Sequence, residues 1–297
     1  MEKNMKGGII INPFGLPGAC VHQANRMKEE FDKLKVDCDI ITDGYLRCLL
    51  NNDHLTSDLV NYDFLVFFDK DKYLSAILTQ LGVRLFNTHE AIRRCDDKAE
   101  TYLALCNSGV KMPKTIFGAL CYKQECNYSE EAIDKIIDKI GLPMIVKQSF
   151  GSMGSGVNLA RSKSELIEIL DKVKVKPHFF QEYLGKKVGV DIRVIVIGGK
   201  VTAYYERSNP NDFRSNIAIG GKGRVVDLPE DFRAIAEKTA QTLGLDYCGV
   251  DLLFGNDGEP IVCEVNSNAF MEGVEGTTGI NVAGAYAKYI FNNISQK

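Results

Sequence analysis

The chain has 297 residues, with 36 Lys and Arg against 39 Asp and Glu, a formal net charge of −3. At 25% charged and 45% hydrophobic residues it has the material for a folded core, and it lacks the basic excess of a nucleic-acid binder. Its apolar runs are strand-length, far below the roughly 20 residues that span a bilayer, so neither membrane nor nucleic acid is expected as a partner.

Residues 1–6 lead into a short apolar run and not into the longer stretch and small-residue cleavage site of a signal peptide. Over the first ninety residues strand and helix signals alternate. Strands are expected at 8–11, 38–41, 64–68 and 84–86, with helical spacing over 21–34 and a helix closing at 76–81. Such alternation argues for a parallel sheet with packed helices, an α/β domain over 1–94. Amphipathic helices follow at 96–106 and 130–140, the second with Ser129 as its N-cap. A strand at 144–147 enters a glycine-rich loop, then a further strand, a helix over 164–173 and a strand at 179–183.

From Asp191 the pattern changes. Val190, Ile192, Val194 and Val196 alternate with Asp191, Arg193, Ile195 and Ile197, and Gly198-Gly199 turns the chain into a hairpin strand at 200–205. A helix over 229–243 leads to a second hairpin, 248–254 and 261–265, about a turn at 255–258. The remaining chain thus reads as an α+β body in two lobes, 95–186 and 187–297. The nine cysteines are scattered, with no C-x-x-C pair and no zinc spacing, which points to reduced thiols and a cytoplasmic setting.

The chemistry concentrates in three places. Lys147-Gln148-Ser149-Phe150-Gly151-Ser152-Met153-Gly154-Ser155-Gly156 runs from a strand through three close glycines. Such a loop lets backbone N–H groups face an anion, or it is a flexible hairpin turn; Lys147 at the end of an apolar strand favours polyphosphate. It matches neither the Walker A loop nor the dinucleotide fingerprint. Glu264 and Asn266 share a strand face, and folding about 255–258 brings Asp251 level with 261–264. Three oxygen donors suit Mg²⁺ bridging nucleotide phosphates better than zinc. Asp191 with Arg193, and Arg214-Ser215-Asn216 before Gly220-Gly221-Lys222-Gly223, offer either a phosphate and carboxylate clamp or surface salt bridges.

In this order, with Asp97-Lys98 and Gln181-Glu182-Tyr183 between, the set resembles the ATP-grasp superfamily, and within it the RimK-type carboxylate–amine ligases. The tail Gly273-Val274-Glu275-Gly276-Thr277-Thr278-Gly279-Ile280-Asn281 supports that placement. The resemblance covers residues 85–291 and implies two lobes enclosing ATP. Lys98 and Lys147 would reach the nucleotide from either side, and Gly151, Ser152, Gly154 and Gly156 would close over its phosphates. Glu182 and Tyr183 would border the adenine, and Asp191 the ribose. Lys222 would add a cation to the nucleotide site. Asp251, Glu264 and Asn266 would hold two Mg²⁺, with Mn²⁺ as a substitute. Arg193, Arg214 and Asn216 are the expected catalytic group, with Ser215 beside them.

The implied reaction is ATP-dependent amide formation through an acyl phosphate, adding glutamate or a similar amino acid to a small-molecule, peptide or protein carboxylate. The alternatives are a non-ligating nucleotide-binding regulatory module and an ATP-grasp kinase. Ser267-Asn268-Ala269-Phe270 departs from the Ser-Pro-Gly-like stretch the family often carries there, which bears on substrate choice. The acceptor, the pathway and the oligomeric state, homo-oligomer included, stay open at this level.

Overall fold

The computed structural model describes residues 5–15 and 17–295. The first unit contains β1 (Lys6–Ile11), α1 (Pro17–Lys33), β2 (Asp37–Ile41), a small hairpin of β3 (Cys48–Asn51) and β4 (His54–Ser57), β5 (Phe64–Phe68), α2 (Lys72–Gln80) and β6 (Leu85–Phe86). Its parallel sheet runs β2-β1-β5-β6. Every residue of β5 is buried, because helices cover both faces. Ile9, Ile11, Phe64, Val66 and Phe68 pack towards α1, while Ile10, Leu65 and Phe67 pack towards Leu74 and Leu78 of α2. The hairpin β3–β4 was not expected. Its residues are largely exposed and carry no core periodicity.

The helix expected over 96–106 begins at Lys98. The chain first forms α3 (His89–Asp96), breaks at Asp97, and resumes as α4 (Lys98–Leu105). The Asp97 carboxylate accepts from Ala99 N at 2.8 Å and Glu100 N at 3.4 Å, so it starts a new helix. The second sheet is antiparallel, β7 (Thr115–Phe117), β10 (His178–Glu182), β8 (Met144–Gln148) and β9 (Val157–Ala160) in spatial order. Its apolar face is covered by α5 (Glu130–Ile140) and α6 (Lys163–Val173). Ser129 caps α5 as its sequence implies, its hydroxyl accepting from Ala132 N at 3.2 Å.

The third sheet is β13 (Lys222–Arg224), β12 (Lys200–Ser208), β11 (Val190–Ile197), β14 (Tyr247–Phe254) and β15 (Pro260–Asn266), all antiparallel. Ile192, Val194, Val196, Val250 and Leu252 turn to α7 (Glu230–Leu243). The opposite face carries Ile195, Ile197 and Tyr205 against the first unit. Two expectations need correction. The strand read over 200–205 continues to Ser208, which brings Arg207 onto the sheet. The Gly-Gly-Lys-Gly segment is only partly a turn, since Lys222–Arg224 pairs with β12 as an exposed edge strand.

Two terminal helices, α8 (Met271–Thr278) and α9 (Val282–Ser295), close the molecule. The buried side chains of α9 join the same core as α1 and β1. The last segment of the chain therefore rests on the first. Among the described residues no helix is long and apolar enough to cross a membrane.

Candidate active site

One face of the third sheet carries four interlocked charges. Register sets Asp191 opposite Arg207, Arg193 opposite Asp251, and Asp251 opposite Glu264. Arg207 donates to both oxygens of Asp191, through Nε at 2.8 Å and Nη2 at 2.5 Å, and lies 2.9 Å from Asp251 Oδ2. Arg193 donates to both oxygens of Asp251, with Nη2 at 2.8 Å. Asp251 is 3% exposed, and burial alone would raise its carboxyl. The Arg193 and Arg207 guanidiniums outweigh that and hold it below the ordinary carboxylate range.

Facing these acids, the second sheet contributes Lys147 near the end of β8. Its Nζ lies 3.5 Å from Cys263 Sγ. Burial works against its charge, but Cys263, Tyr102 and Glu264 lie close enough to raise its pKa above the usual lysine value. Lys98, the first residue of α4, donates to Gly151 O at 2.6 Å and lies 3.4 Å from Glu264 Oε1. The glycine loop leaves β8 and returns as β9, with Gln148 N donating to Gly156 O at 2.9 Å. Arg214 ties this loop to the third sheet's side. It donates to Gly154 O at 2.9 Å while gripping Asp212 through Nε at 3.0 Å and Nη2 at 2.7 Å.

Between the two sheets lies a cleft. Of the residues anticipated from sequence, Lys98, Lys147, Gly154, Glu182, Tyr183, Asp191, Arg214, Ser215, Asn216, Asp251 and Glu264 line it. A second, larger cavity adjoins the first unit, with Ser152, Arg193, Asn216, Glu264 and Asn266 on its wall. Glu264, Asn216 and Arg207 line both. Lys222 is not brought to either lining; it sits exposed on the edge strand β13. Gly151 and Gly156 serve the loop through their carbonyls and do not line the cleft. Asp191 lines the cleft, but both its oxygens are already bonded to Arg207.

Sequence reasoning missed Arg207, which lay past the point where the strand was ended. It also missed Cys263, counted among the scattered thiols, and Lys70, whose Nζ donates to Ser152 Oγ at 3.2 Å from the first unit. Among the described residues no cluster of three or more His, Cys, Asp or Glu could hold a metal, so the candidate set remains two carboxylates and one amide. That donor chemistry fits Mg²⁺. The donors are all oxygen, and Mg²⁺ commonly completes its shell with water and substrate phosphates. An ionised carboxylate also has about four acceptor positions, so the arginines do not exhaust Asp251.

A cleft between two antiparallel sheets, lined by Lys98, Lys147, Asp251 and Glu264 and bordered by a glycine-rich loop, is the arrangement of an ATP-grasp fold. The crystal structure of D-alanine–D-alanine ligase from Bacillus anthracis complexed with ATP has this fold, with a TM-score of 0.74 at 20% identity over 98% of both chains. The RimK-like ATP-grasp domain model matches residues 95–290. A probable alpha-L-glutamate ligase of Maridesulfovibrio salexigens is 35% identical over 84% of this chain and 85% of its own. Human N-acetylaspartylglutamate synthase A is 34% identical over 74% of this chain and 56% of its own. The chain belongs to the RimK-like ATP-grasp family and is an ATP-dependent ligase that forms amide bonds. ATP-grasp ligases in general use ATP and divalent metal ions.

Proposed function

We propose that the protein joins the amine of glutamate, or of a similar amino acid, to a carboxylate acceptor and releases ADP and phosphate. The observation that carries this reading is Glu264, which faces the smaller cleft on one side and the larger cavity on the other. ATP occupies the cleft, the acceptor and the amine meet in the cavity, and phosphoryl transfer takes place at the divide. Residues 1–94 form one wall of the substrate cavity, 95–186 the lid and 187–297 the metal-bearing floor. The scattered cysteines support a reducing, cytoplasmic setting.

A carboxylate resists amine attack because oxide is a poor leaving group; its acyl phosphate has phosphate to lose. Asp251, Glu264 and Asn266 would hold two Mg²⁺, or Mn²⁺ in their place, which neutralise charge on the transferring phosphoryl group. Lys147 steadies the phosphates from the second sheet and Lys98 from α4 on the other side of the cleft, and Arg214 and Asn216 close the loop over them. Glu182 and Tyr183 border the base. Asp191 acts through Arg207, which it orients towards the divide. Arg193 and Arg207, fixed by carboxylates, offer donors to the acyl phosphate and to the oxyanion formed when nitrogen attacks.

The test is ADP release from Mg-ATP and L-glutamate with a panel of carboxylates, including N-acetylated amino acids and peptides, and mass spectrometry of the product. With γ-labelled ATP the label must leave as inorganic phosphate. Label retained on the product, or no ADP release across the panel, would sink the reading.

A further inference from the structure

The parallel sheet of the first unit has a topological switch point. From β1 the chain passes to β2 on one side, and later to β5 on the other. Connections therefore diverge at the carboxyl ends of β1 and β5, leaving a crevice of the kind in which α/β sheets bind ligands. The residues that follow those two strands are Asn12 and Asp69, and both line the larger cavity. Asn12 Nδ2 lies 3.2 Å from Asp69 Oδ2 and 3.4 Å from Oδ1, and Lys70 N donates to Oδ1 at 2.6 Å. The carboxylate is thereby oriented, yet it forms no ion pair among the described residues. The neighbouring Lys70 turns its Nζ to Ser152 and, at 3.9 Å, to Asp96. Burial pushes the Asp69 carboxyl up, while the N–H donors of Lys70 and Asn12 act the other way.

An oriented, partly desolvated carboxylate without a cation, on a cavity wall of a ligase that consumes an amine, has a specific complement. We propose that Asp69, positioned by Asn12, recognises the ammonium group of the amine-bearing substrate and so sets which of the two organic substrates sits against the first unit. This inference rests on the ligase reading above and adds the residue that selects the amine. Recognition is of the resting ammonium, before nitrogen gives a proton to solvent and attacks. The cavity's other unpaired acid is Glu272, which is exposed on α8 and has no orienting partner among the described residues. A charge-assisted hydrogen bond to an ammonium favours the oriented, partly buried carboxylate over the exposed one.

Two measurements on the full chain test this. First, with L-glutamate as the amine, Asp69→Asn should raise its KM by about 10- to 100-fold and leave the KM for ATP within about twofold; Asn12→Ala should move the same way by less. An unchanged glutamate KM in an active Asp69→Asn enzyme overturns the proposal. So does a larger rise in Glu272→Gln. Second, binding of L-glutamate and of glutarate, the same diacid without the ammonium, is compared by calorimetry with a non-hydrolysable ATP analogue and Mg²⁺ present. Wild type should favour glutamate by about tenfold or more, and Asp69→Asn should erase that preference. Equal preference in both proteins, or none in wild type, overturns the proposal. Because this second experiment needs no turnover, a failure of ligation and a failure of ammonium recognition give different results.

Discussion

Asp251 stands between Arg193 and Arg207, nearly sealed from solvent. Removing its charge leaves two buried guanidiniums short of a counter-ion, and breaking such a pair costs about 3–5 kcal/mol. Asp251→Asn should lose about that much stability in urea unfolding at pH 7, and its turnover should fall as well. The pH dependence has a definite sign. The folded Asp251 carboxyl sits below its unfolded value of about 3.9, so its stabilisation is complete above that pH and is lost as pH falls through the folded value. The gap between wild type and Asp251→Asn should stay constant from pH 7 to 5 and narrow only below about pH 4. Glu264 sits among fewer partners, Lys98 being the one within ion-pair range among the described residues. Glu264→Gln should cut kcat on the order of 100-fold or more and raise the Mg²⁺ requirement; near-normal activity would remove it from the site. At this scale the sequence named both acids from their position in apolar strands. It could not name Arg207, because the value of that residue lies in what it meets across the sheet.

The glycine loop between β8 and β9 is an element whose conformation depends on backbone freedom. Gly154 has φ +80°, and a Cβ there would stand 3.1 Å from Arg214 Cδ and 3.3 Å from Asn216 Oδ1. A left-handed non-glycine residue costs on the order of 1–3 kcal/mol. Gly154→Ala should therefore raise the KM for ATP about tenfold and lower stability by about that strain, less than Asp251→Asn does, since no buried charge is left unpaired. A thermal shift as large as that of Asp251→Asn, or an unchanged ATP KM, would show that the loop does not close on nucleotide. Elements with a strong period and a cap, such as α5 behind Ser129, were legible along the chain. The break between α3 and α4 was not, because Asp97 reads equally well as a solvated helix residue. The edge strand β13 was missed because glycine and lysine at 220–223 spell a turn, and only its partner β12 makes it a strand.

Across the whole molecule the first and third sheets are joined at a buried seam. Asn87 is 1% exposed. Its Nδ2 donates to Tyr247 O at 2.8 Å and Ser267 O at 2.9 Å, and its Oδ1 accepts from Asp246 N at 2.7 Å and Tyr247 N at 2.9 Å. Each such bond contributes about 1 kcal/mol, and orphaned backbone groups cost more. Asn87→Ala should lower stability by about 3–5 kcal/mol and speed amide exchange in β14 and α9 together. If exchange rises in β14 alone, the seam is local and the two sheets are not coupled. Helix α9 reinforces the seam by burying Val282, Tyr286, Ala287 and Ile290 in the core that α1 and β1 share. Burial of a large apolar side chain stabilises by roughly 1.5–3 kcal/mol.

Most strands and helices of the three sheets, and the chemical type of each wall, are legible along the chain, because strand period, capping residues and glycine-rich turns are local properties written in adjacent residues; the ATP-grasp set is legible there as a resemblance. Only the tertiary structure decided which charges neutralise one another. It set Asp191 against Arg207 and withheld it from solvent, moved Lys222 to an outer edge, and placed Glu264 on the walls of both the cleft and the larger cavity. It also brought the ends of β1 and β5, 57 residues apart at Asn12 and Asp69, to one crevice. Cross-strand register and sheet order fix those pairings, and neither is encoded in the spacing of residues along one strand.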